Sequence, residues 1–288
     1  MVPTILAAAT AAALFGGADF MAGLASRRVS AVVVAALSYG AGLVVVGAVA
    51  LLSPPMHLAG QDLRWCVVSS AAGVVGVVAL YAALAAGRLS IVSPLTAGLA
   101  AAGPALFDIA RGARLQVTAL AGLTLAVVAV VVVGAGHSER ERKDMPLAAI
   151  VLAVVAGTSF AVSIVALSLV GVAAGLAPLL MQRTLGVVVL TPVALFLLFG
   201  RRGRANPLPD RRTLALAVAA GLVDSMATMA RLAAIRLLGP LAVAAVIGGL
   251  YPVSTILLAH FILGERLTAG ERVGVAMALA AVVLTTLP

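Results

Sequence analysis

Charged side chains inside long apolar runs are the residues of this sequence best suited to do chemistry. Asp224 and Arg231 stand seven residues apart in one such run, so two helical turns place them on one helix face. A charge at mid-membrane costs about 2.5–3.5 kcal/mol on insertion scales, and such residues face a partner or water. We expect both to form the polar wall of a solute cavity, with Arg183 of the seventh apolar run as a candidate partner. The alternatives are a structural ion pair and an Arg231 that reaches the membrane interface.

Asp19 is a candidate for proton coupling. It lies in the outer third of the first apolar run, two turns before Arg27 and Arg28. A carboxylate within lipid favours its neutral, protonated form, which is the property that proton coupling requires. An interfacial cap and a salt bridge to Arg28 are the alternatives.

Asp108 and His260 are two further coupling candidates, because they occupy matching places in the two halves of the chain. Each stands four residues before a Gly-x-Arg-Leu turn. Histidine titrates near neutral pH, so the pair could gate a pathway or relay protons. Polar residues one turn from a helix end also serve as interfacial anchors.

Pro94, Pro104 and Pro252 interrupt predicted helices. A proline removes one hydrogen bond of the helix and frees a carbonyl, which membranes tolerate where the backbone faces protein or a cavity. Broken helices at corresponding places of two halves indicate a transporter site. We therefore predict that Pro94 and Pro252 belong to the solute pathway; kinks that serve only packing are the alternative.

Motifs of enzyme chemistry are missing from the sequence. It has no His-Glu-x-x-His, no Gly-x-Ser-x-Gly, no P-loop lysine and no carboxylate cluster suited to a metal. Cys66 is the only cysteine, which excludes an internal disulfide and a cysteine metal site. We predict that the protein is not an enzyme, holds no metal and needs no cofactor.

The composition indicates which elements must position these residues. The sequence is 63% apolar and 10% charged, whereas a soluble domain carries about 25% charged residues. Apolar runs close to the roughly 20 residues of a spanning helix recur from end to end, and they lack the alternation of barrel strands. We predict an all-α integral membrane protein, multi-pass in the inner (cytoplasmic) membrane of a bacterium.

Ten apolar runs are predicted to be transmembrane helices. Their connectors are short and contain arginine, glycine or proline, and a charged linker at 137–145 divides the chain near its middle. We expect one five-helix repeat at 1–136 and a second at 146–288. The predicted spans are 3–24, 31–52, 65–86, 90–110, 116–135, 146–170, 177–199, 213–235, 241–263 and 272–288.

Short matches relate the two halves. Residues 71–73 match 219–221 (Ala-Ala-Gly), and residues 112–115 match 264–267 (Gly-x-Arg-Leu). With five spans in each half, the second half must enter the membrane from the opposite side. The sequence thus predicts two inverted repeats, an architecture of secondary transporters with a solute site between the repeats. Chance similarity between helices rich in Ala, Val and Gly is the alternative.

Several segments resemble the EamA-type family of the drug/metabolite transporter superfamily. The most specific are 249–252 (Gly-Leu-Tyr-Pro) and the turn at 264–267 (Gly-Glu-Arg-Leu), and residues 80–84 (Leu-Tyr-x-Ala-Leu) resemble the first-repeat counterpart. Tyr81 and Tyr251 lie in these segments and join the predicted pathway residues. The resemblance implies a ten-helix transporter and names no substrate. The first-repeat turn reads Gly-Ala-Arg, so the family's carboxylate is missing there.

We predict a secondary transporter, an exporter or exchanger of small metabolites or drug-like solutes. The absence of a P-loop leaves an ion or solute gradient as its driving force. The predicted pathway is lined by the first, third, fourth, sixth, eighth and ninth spans. The expected partners are a small-molecule solute, the lipid bilayer and protons, for a monomer or a homodimer. The alternatives are a non-transporting assembly factor or receptor, whose buried charges hold helices together, and a channel.

The cations predict an orientation. The net charge of +9 comes from arginines in short loops between apolar runs, a pattern typical of topology signals and not of nucleic-acid binding. Most of them follow odd-numbered spans, which places those loops in the cytoplasm and both termini outside. The family resemblance implies the opposite orientation.

Overall fold

The computed structural model describes residues 2–87, 89–112, 146–200, 208–237, 251–263 and 269–286, with isolated residues between 117 and 132. This described part of the chain consists of helices and turns without a β-strand. A short 3-10 helix, Val172–Ala174, lies between α5 and α6. The helices are α1 (Val2–Ser26), α2 (Ala31–Leu51), α3 (Gly60–Ala86), α4 (Leu89–Ala110), α5 (Leu147–Ser168), α6 (Ala177–Phe199), α7 (Arg211–Leu237), α8 (Tyr251–Leu263) and α9 (Ala269–Thr286).

The helices agree with the predicted spans to within a few residues at most ends. Six of those described, α2 to α7, are long and apolar enough to cross a membrane, so the prediction of a multi-pass helical membrane protein is confirmed. More than half of the span predicted at 116–135, and the whole linker at 137–145, lie outside the described residues. The count of ten spans and the inverted repeat therefore stay predictions.

The outer surface suits a bilayer. Large apolar side chains stand exposed on several helices, among them Val44 at 71%, Phe196 at 65% and Val162 at 50%. An exposed apolar surface of this extent marks contact with a membrane or a partner, because water covers it at a cost in free energy. Lipid tails would cover these side chains without that cost.

Helix α7 shows how a local signal sets a helix end. A side-chain oxygen of Asp210 accepts a hydrogen bond of 2.7 Å from the backbone amide of Thr213, in the first turn of α7. Such a cap satisfies an amide that has no partner inside the helix. Hydrogen bonds from Thr213 hold the pKa of the Asp210 carboxyl below its usual range, and nearby Arg28 and Arg212 lower it further.

The connections gather at two ends of the helix bundle. At one end, Arg28 after α1 lies 3.5 Å from Asp210 before α7. At the other end, the amide of Gly171 after α5 donates a hydrogen bond of 3.0 Å to Asp62 at the start of α3. The turns after the first and the seventh predicted spans thus lie together, as do those after the second and the sixth. When successive helices cross a membrane in alternating directions, the odd-numbered connections lie on one side and the even-numbered connections on the other. Both contacts agree with this rule.

Helices of the two halves pack in reciprocal pairs. Helix α3 packs on α5 as α1 packs on α7, and α4 packs on α5 as α8 packs on α1. Helix α2 contacts α7 as α6 contacts α3. Two further contacts join helices at the same position of each half, α2 with α6 and α4 with α8. If α1–α4 correspond in order to α5–α8, every one of these pairings has its counterpart. A cavity between the halves is then enclosed by helices from both.

Small residues allow this packing. A Cβ at Gly221 on α7 would overlap the backbone of Ser38 on α2, and a Cβ at Gly73 on α3 would overlap the side chain of Gln182 on α6. These two glycines occupy the matching Ala-Ala-Gly segments of the two halves. The Ser38 hydroxyl also donates a hydrogen bond of 2.9 Å to the carbonyl of Ala217 on α7. Backbones therefore approach closely at reciprocal places, as small residues permit in membrane helices.

Candidate functional site

A cavity between the two halves gathers most of the polar residues that the sequence singles out. Residues of α1–α8 line it, and they combine four charged groups with a wall of aromatic and apolar side chains. They are Phe15, Asp19, Tyr39, Val77, Leu80, Tyr81, Ala100, Phe160, Ile164, Gln182, Arg183, Asp224, Thr228, Arg231, Ile235 and Tyr251.

An ion pair stands at the cavity wall between α6 and α7. Nη2 of Arg183 lies 2.6 Å from a carboxylate oxygen of Asp224, and the two side chains are 3% and 16% exposed. The same nitrogen donates a hydrogen bond of 3.1 Å to the hydroxyl of Thr228, one turn along α7. That hydroxyl donates in turn to the carbonyl of Asp224, at 2.7 Å. The partner of Asp224 is therefore Arg183, and not Arg231 on its own helix, seven residues away.

The ring of Tyr39 on α2 supports this ion pair. The guanidinium of Arg183 lies 5.2 Å from the centre of the ring, within the range of a cation–π contact. Gly186, one turn along α6, has no room for a Cβ, which would overlap the Tyr39 ring. Tyr39 is 1% exposed, and its buried hydroxyl has no hydrogen-bond partner among the described residues.

Arg231 lines the cavity without an ion pair. Its guanidinium lies 4.8 Å from the centre of the Phe15 ring on α1. Its Nε is buried and has no hydrogen-bond partner, and no carboxylate in the described part of the chain lies within 4.0 Å. The side chain faces the interior of the bundle. It does not extend to an interface, as the alternative interpretation supposed.

Asp19 faces the same cavity and is 7% exposed. It lies one turn after Phe15 on α1, on the same helix face, and seven residues before the helix ends. Both alternatives for it are wrong. It caps no helix end, and Arg28 pairs with Asp210 on the exposed surface. The described residues offer Asp19 no ion-pair partner.

The two tyrosines and the two prolines of the predicted pathway divide into different roles. Tyr81 and Tyr251 line the cavity, whereas Pro94 and Pro252 are buried and lie outside the lining. The hydroxyl of Tyr251 donates a hydrogen bond of 3.3 Å to the carbonyl of Ser93, which joins α8 to α4 immediately before each proline. The prolines thus mark the contact between these helices. Helix α4 continues through Pro94 and Pro104.

Asp108 is not among the residues that line the cavity. Asp108 is partly exposed in the last turn of α4 and takes part in an interaction of its own. His260 belongs to α8, and its side chain lies outside the described residues. A gate or proton relay formed by these two residues stays a prediction.

Comparisons with known proteins give the family of the second half. The sequence model of the EamA-like transporter family matches residues 147–287. The second half of the chain is therefore similar to the EamA-like transporter family. A comparison with curated proteins found no match. One solved structure, titled only "Crystal structure of protein", is similar with a TM-score of 0.67 and 19% sequence identity, over 99% of this chain and 97% of that chain.

At such identity the likeness shows the fold alone, but it extends over both halves. The match confirms the expected resemblance to the EamA-like family for the second half, and the six long apolar helices agree with a membrane protein. The family match itself covers only the second half. Whether the first half is a repeat of the EamA-like domain stays a proposal.

Several residues that line this cavity were not predicted from the sequence. The predicted lining omitted the second span, although α2 contributes Tyr39. It named only Arg183 from the seventh span, although α6 also contributes Gln182. Gln182 is 8% exposed and stands beside Arg183 in an apolar run, so the rule that pointed to the charges could have found it. Phe15 and Phe160 gave no such signal, because an aromatic residue in a membrane helix is as well placed against lipid as against a cavity.

Proposed function

We propose that this protein is a secondary transporter, which exports or exchanges small metabolites or drug-like solutes across the inner membrane of a bacterium. The observation that carries the proposal is the cavity between the halves, where Asp19 and Arg231 stand without ion-pair partners among the described residues. Buried charges in membrane helices normally pair or face water. A solute site explains why these two side chains face the cavity and do not pair with a neighbouring side chain within the described helices.

The proposed architecture is two inverted five-helix repeats. The reciprocal packing of α1–α4 and α5–α8 supports it, as do the matched glycines at the α2–α7 and α3–α6 contacts. In transporters of this kind one repeat rocks against the other around a fixed midplane site, and each side opens in turn. The cavity lined by both α1–α4 and α5–α8 supports this mechanism, because the solute would bind between the two repeats.

The proposed driving force is an ion gradient, with Asp19 as the proton-binding group. A carboxyl that faces the solute and has no ion pair can exchange a proton during the cycle, whereas Asp224 is held by Arg183. Proton binding and solute binding in one cavity would couple the two fluxes. The gradient would then drive the solute outward or drive an exchange.

A non-transporting receptor or assembly factor is the second candidate. One observation favours it: the pair of Arg183 and Asp224 joins α6 to α7 and has the close geometry of a structural contact. A protein whose charges only hold helices together would pair all of them. Asp19 and Arg231 therefore favour transport over this candidate.

Flux through the purified protein separates these functions. Proteoliposomes are loaded with a defined panel of metabolites and drug-like compounds, and the solutes that leave are identified by mass spectrometry. A transporter gives flux that saturates and shows counterflow, and a channel gives flux without saturation. If liposomes shown to contain folded protein release none of the solutes, the result would contradict the proposal and favour the non-transporting candidate.

A further inference from the structure

We infer that Arg231 forms an anion subsite in the cavity, and that the solute carries a carboxylate on an apolar or aromatic body. This inference rests on the proposed function, because it takes the cavity as the place where the solute binds. It adds the chemical class of the solute, which the family match leaves open.

The charge distribution of the cavity supports the anion subsite. Arg183 and Asp224 neutralise each other at 2.6 Å, so Arg231 keeps a positive charge for a ligand. The other unpaired charge of the cavity is Asp19, which the proposed function assigns to the proton. The contact of Arg231 within the protein is the ring of Phe15, at 4.8 Å. A ring face attracts the cation but accepts no charge-assisted hydrogen bond. The guanidinium thus keeps its hydrogen-bonding capacity for a ligand.

Two residues of the cavity wall carry donors that lack acceptors, which favours an acceptor group on the ligand. Nε of Arg231 and the hydroxyl of Tyr39 are both buried without a partner in the described part of the chain, and both residues line the cavity. Nε of Arg183 is also unpartnered, but it lies 3.2 Å from the Cβ position of Gly42 on α2 and so faces that helix. A carboxylate offers two oxygens in the geometry that matches a guanidinium fork.

The rest of the lining describes the body of the solute. Phe15, Phe160 and Tyr81 face the cavity from three helices, together with Val77 and Leu80. Pockets lined in this way bind apolar bodies, while a few polar groups fix the orientation. A small monoanion with an aromatic or branched apolar body therefore fits both the charge and the walls.

The test uses two matched probes, phenylacetate and its neutral amide, phenylacetamide. Binding to the purified full-length protein is measured by calorimetry and by the shift of the melting temperature. We expect phenylacetate to bind at least tenfold more tightly than the amide. We expect Arg231→Gln to remove this preference by raising the Kd of phenylacetate about ten- to a hundredfold, the range of a charge-assisted hydrogen bond. The Kd of the amide should change less than twofold.

Two more variants distinguish the loss of the anion subsite from a folding defect. Arg231→Lys keeps the charge and loses the planar fork, so it should retain part of the preference. Phe15→Leu removes the ring and keeps the arginine, so it should retain a preference for the carboxylate. A wild-type protein that binds neither probe, equal binding of the two probes, or a preference that survives Arg231→Gln would each overturn the inference.

Failure of the inference and failure of the proposed function give different results. Arg231-dependent carboxylate binding in a protein that moves no solute in proteoliposomes would overturn the transporter function and leave the anion subsite standing. Saturable flux that is confined to neutral or cationic solutes, and is unchanged in Arg231→Gln, would overturn the subsite and leave the transporter function standing.

Discussion

Nη2 of Arg183 on α6 lies 2.6 Å from a carboxylate oxygen of Asp224 on α7, in a pair of side chains that are 3% and 16% exposed. Taking one partner away leaves an uncompensated buried charge, which typically costs about 3–5 kcal/mol. Replacing both removes that misfit. The pair is therefore a place where the contribution to stability and the contribution to transport can be separated.

Arg183→Gln and Asp224→Asn should each lower the melting temperature and stop transport, and the double variant should regain stability without regaining transport. The reason is that the double variant removes the charge misfit but also changes the wall that the solute meets. Melting curves and solute flux on the same preparations measure the two effects. A double variant that regains both would show that the pair is purely structural.

The exposed pair of Arg28 and Asp210 is the control for this experiment. Its side chains are 46% and 61% exposed, and its atoms are 3.5 Å apart, so screening by solvent leaves little interaction to lose. Asp210→Asn keeps a side chain that can cap α7. It should change neither the melting temperature nor the flux appreciably.

Gly221→Ala should destabilise the protein much more than Gly47→Ala. The new Cβ at position 221 would overlap the carbonyl oxygen of Ser38 and lie 2.6 Å from its Cα, both of them backbone atoms that cannot rotate away. A Cβ at position 47 on α2 meets nothing within 4 Å, so that variant should be neutral or slightly stabilising. Melting temperatures of the two purified variants test the close approach of α2 and α7, and equal values would contradict it.

Asp19→Asn should uncouple transport from the pH gradient, because asparagine cannot take up a proton. Binding of the solute should remain measurable, since the side chain keeps its size and polarity. Uptake with and without an imposed pH gradient provides the measurement. The other ionisable side chains that line the cavity with Asp19 are Tyr39, Tyr81, Arg183, Asp224, Arg231 and Tyr251.

Asp108→Asn distinguishes the two carboxyls that are coupling candidates. A pH response that disappears in Asp19→Asn and persists in Asp108→Asn would place the proton in the cavity. An unchanged pH response in Asp19→Asn would remove Asp19 from the coupling mechanism.

The charge pattern and the family resemblance predict opposite orientations, and cysteine labelling decides between them. Single cysteines are placed at Ala205 in the seventh loop and at Ala59 in the second, in a Cys66→Ala background. Because the arginine-rich odd loops should be cytoplasmic, an impermeant maleimide should label Ala59→Cys on intact cells and spare Ala205→Cys. The reverse pattern would contradict the charge-based orientation and support cytoplasmic termini.

The sequence predicts the helices better than the pairing of their side chains. Span positions depend on local composition, so they could be read from apolar runs. The charged residues of the cavity could also be predicted, because a charged side chain within a membrane helix must face the interior of the helix bundle. Which arginine pairs with Asp224 depends on how α6 and α7 pack, and no local pattern encodes this. In the structure Asp224 pairs with Arg183 on α6, although Arg231 lies on the same helix as Asp224.

The roles of the prolines follow the same division. The sequence shows prolines within the predicted fourth and ninth spans, and this pattern predicts that they belong to the solute pathway. In the fold Pro94 and Pro252 are buried beside the contact between α4 and α8, while Tyr251, next to Pro252, lines the cavity. The rotation of each helix about its axis determines whether the proline or the adjacent residue faces the cavity, and a local sequence pattern does not give this rotation.

Thiol modification at Ala100 tests most directly whether the cavity is the solute pathway. Ala100 on α4 lines the cavity and is 7% exposed. In a Cys66→Ala protein that retains flux, Ala100→Cys is treated with 2-sulfonatoethyl methanethiosulfonate. Val193→Cys on the outer face of α6, where Val193 is 44% exposed, is the control. We predict that modification of Ala100→Cys stops flux and that bound solute slows the modification. Unchanged flux through fully modified Ala100→Cys protein would contradict the proposed pathway.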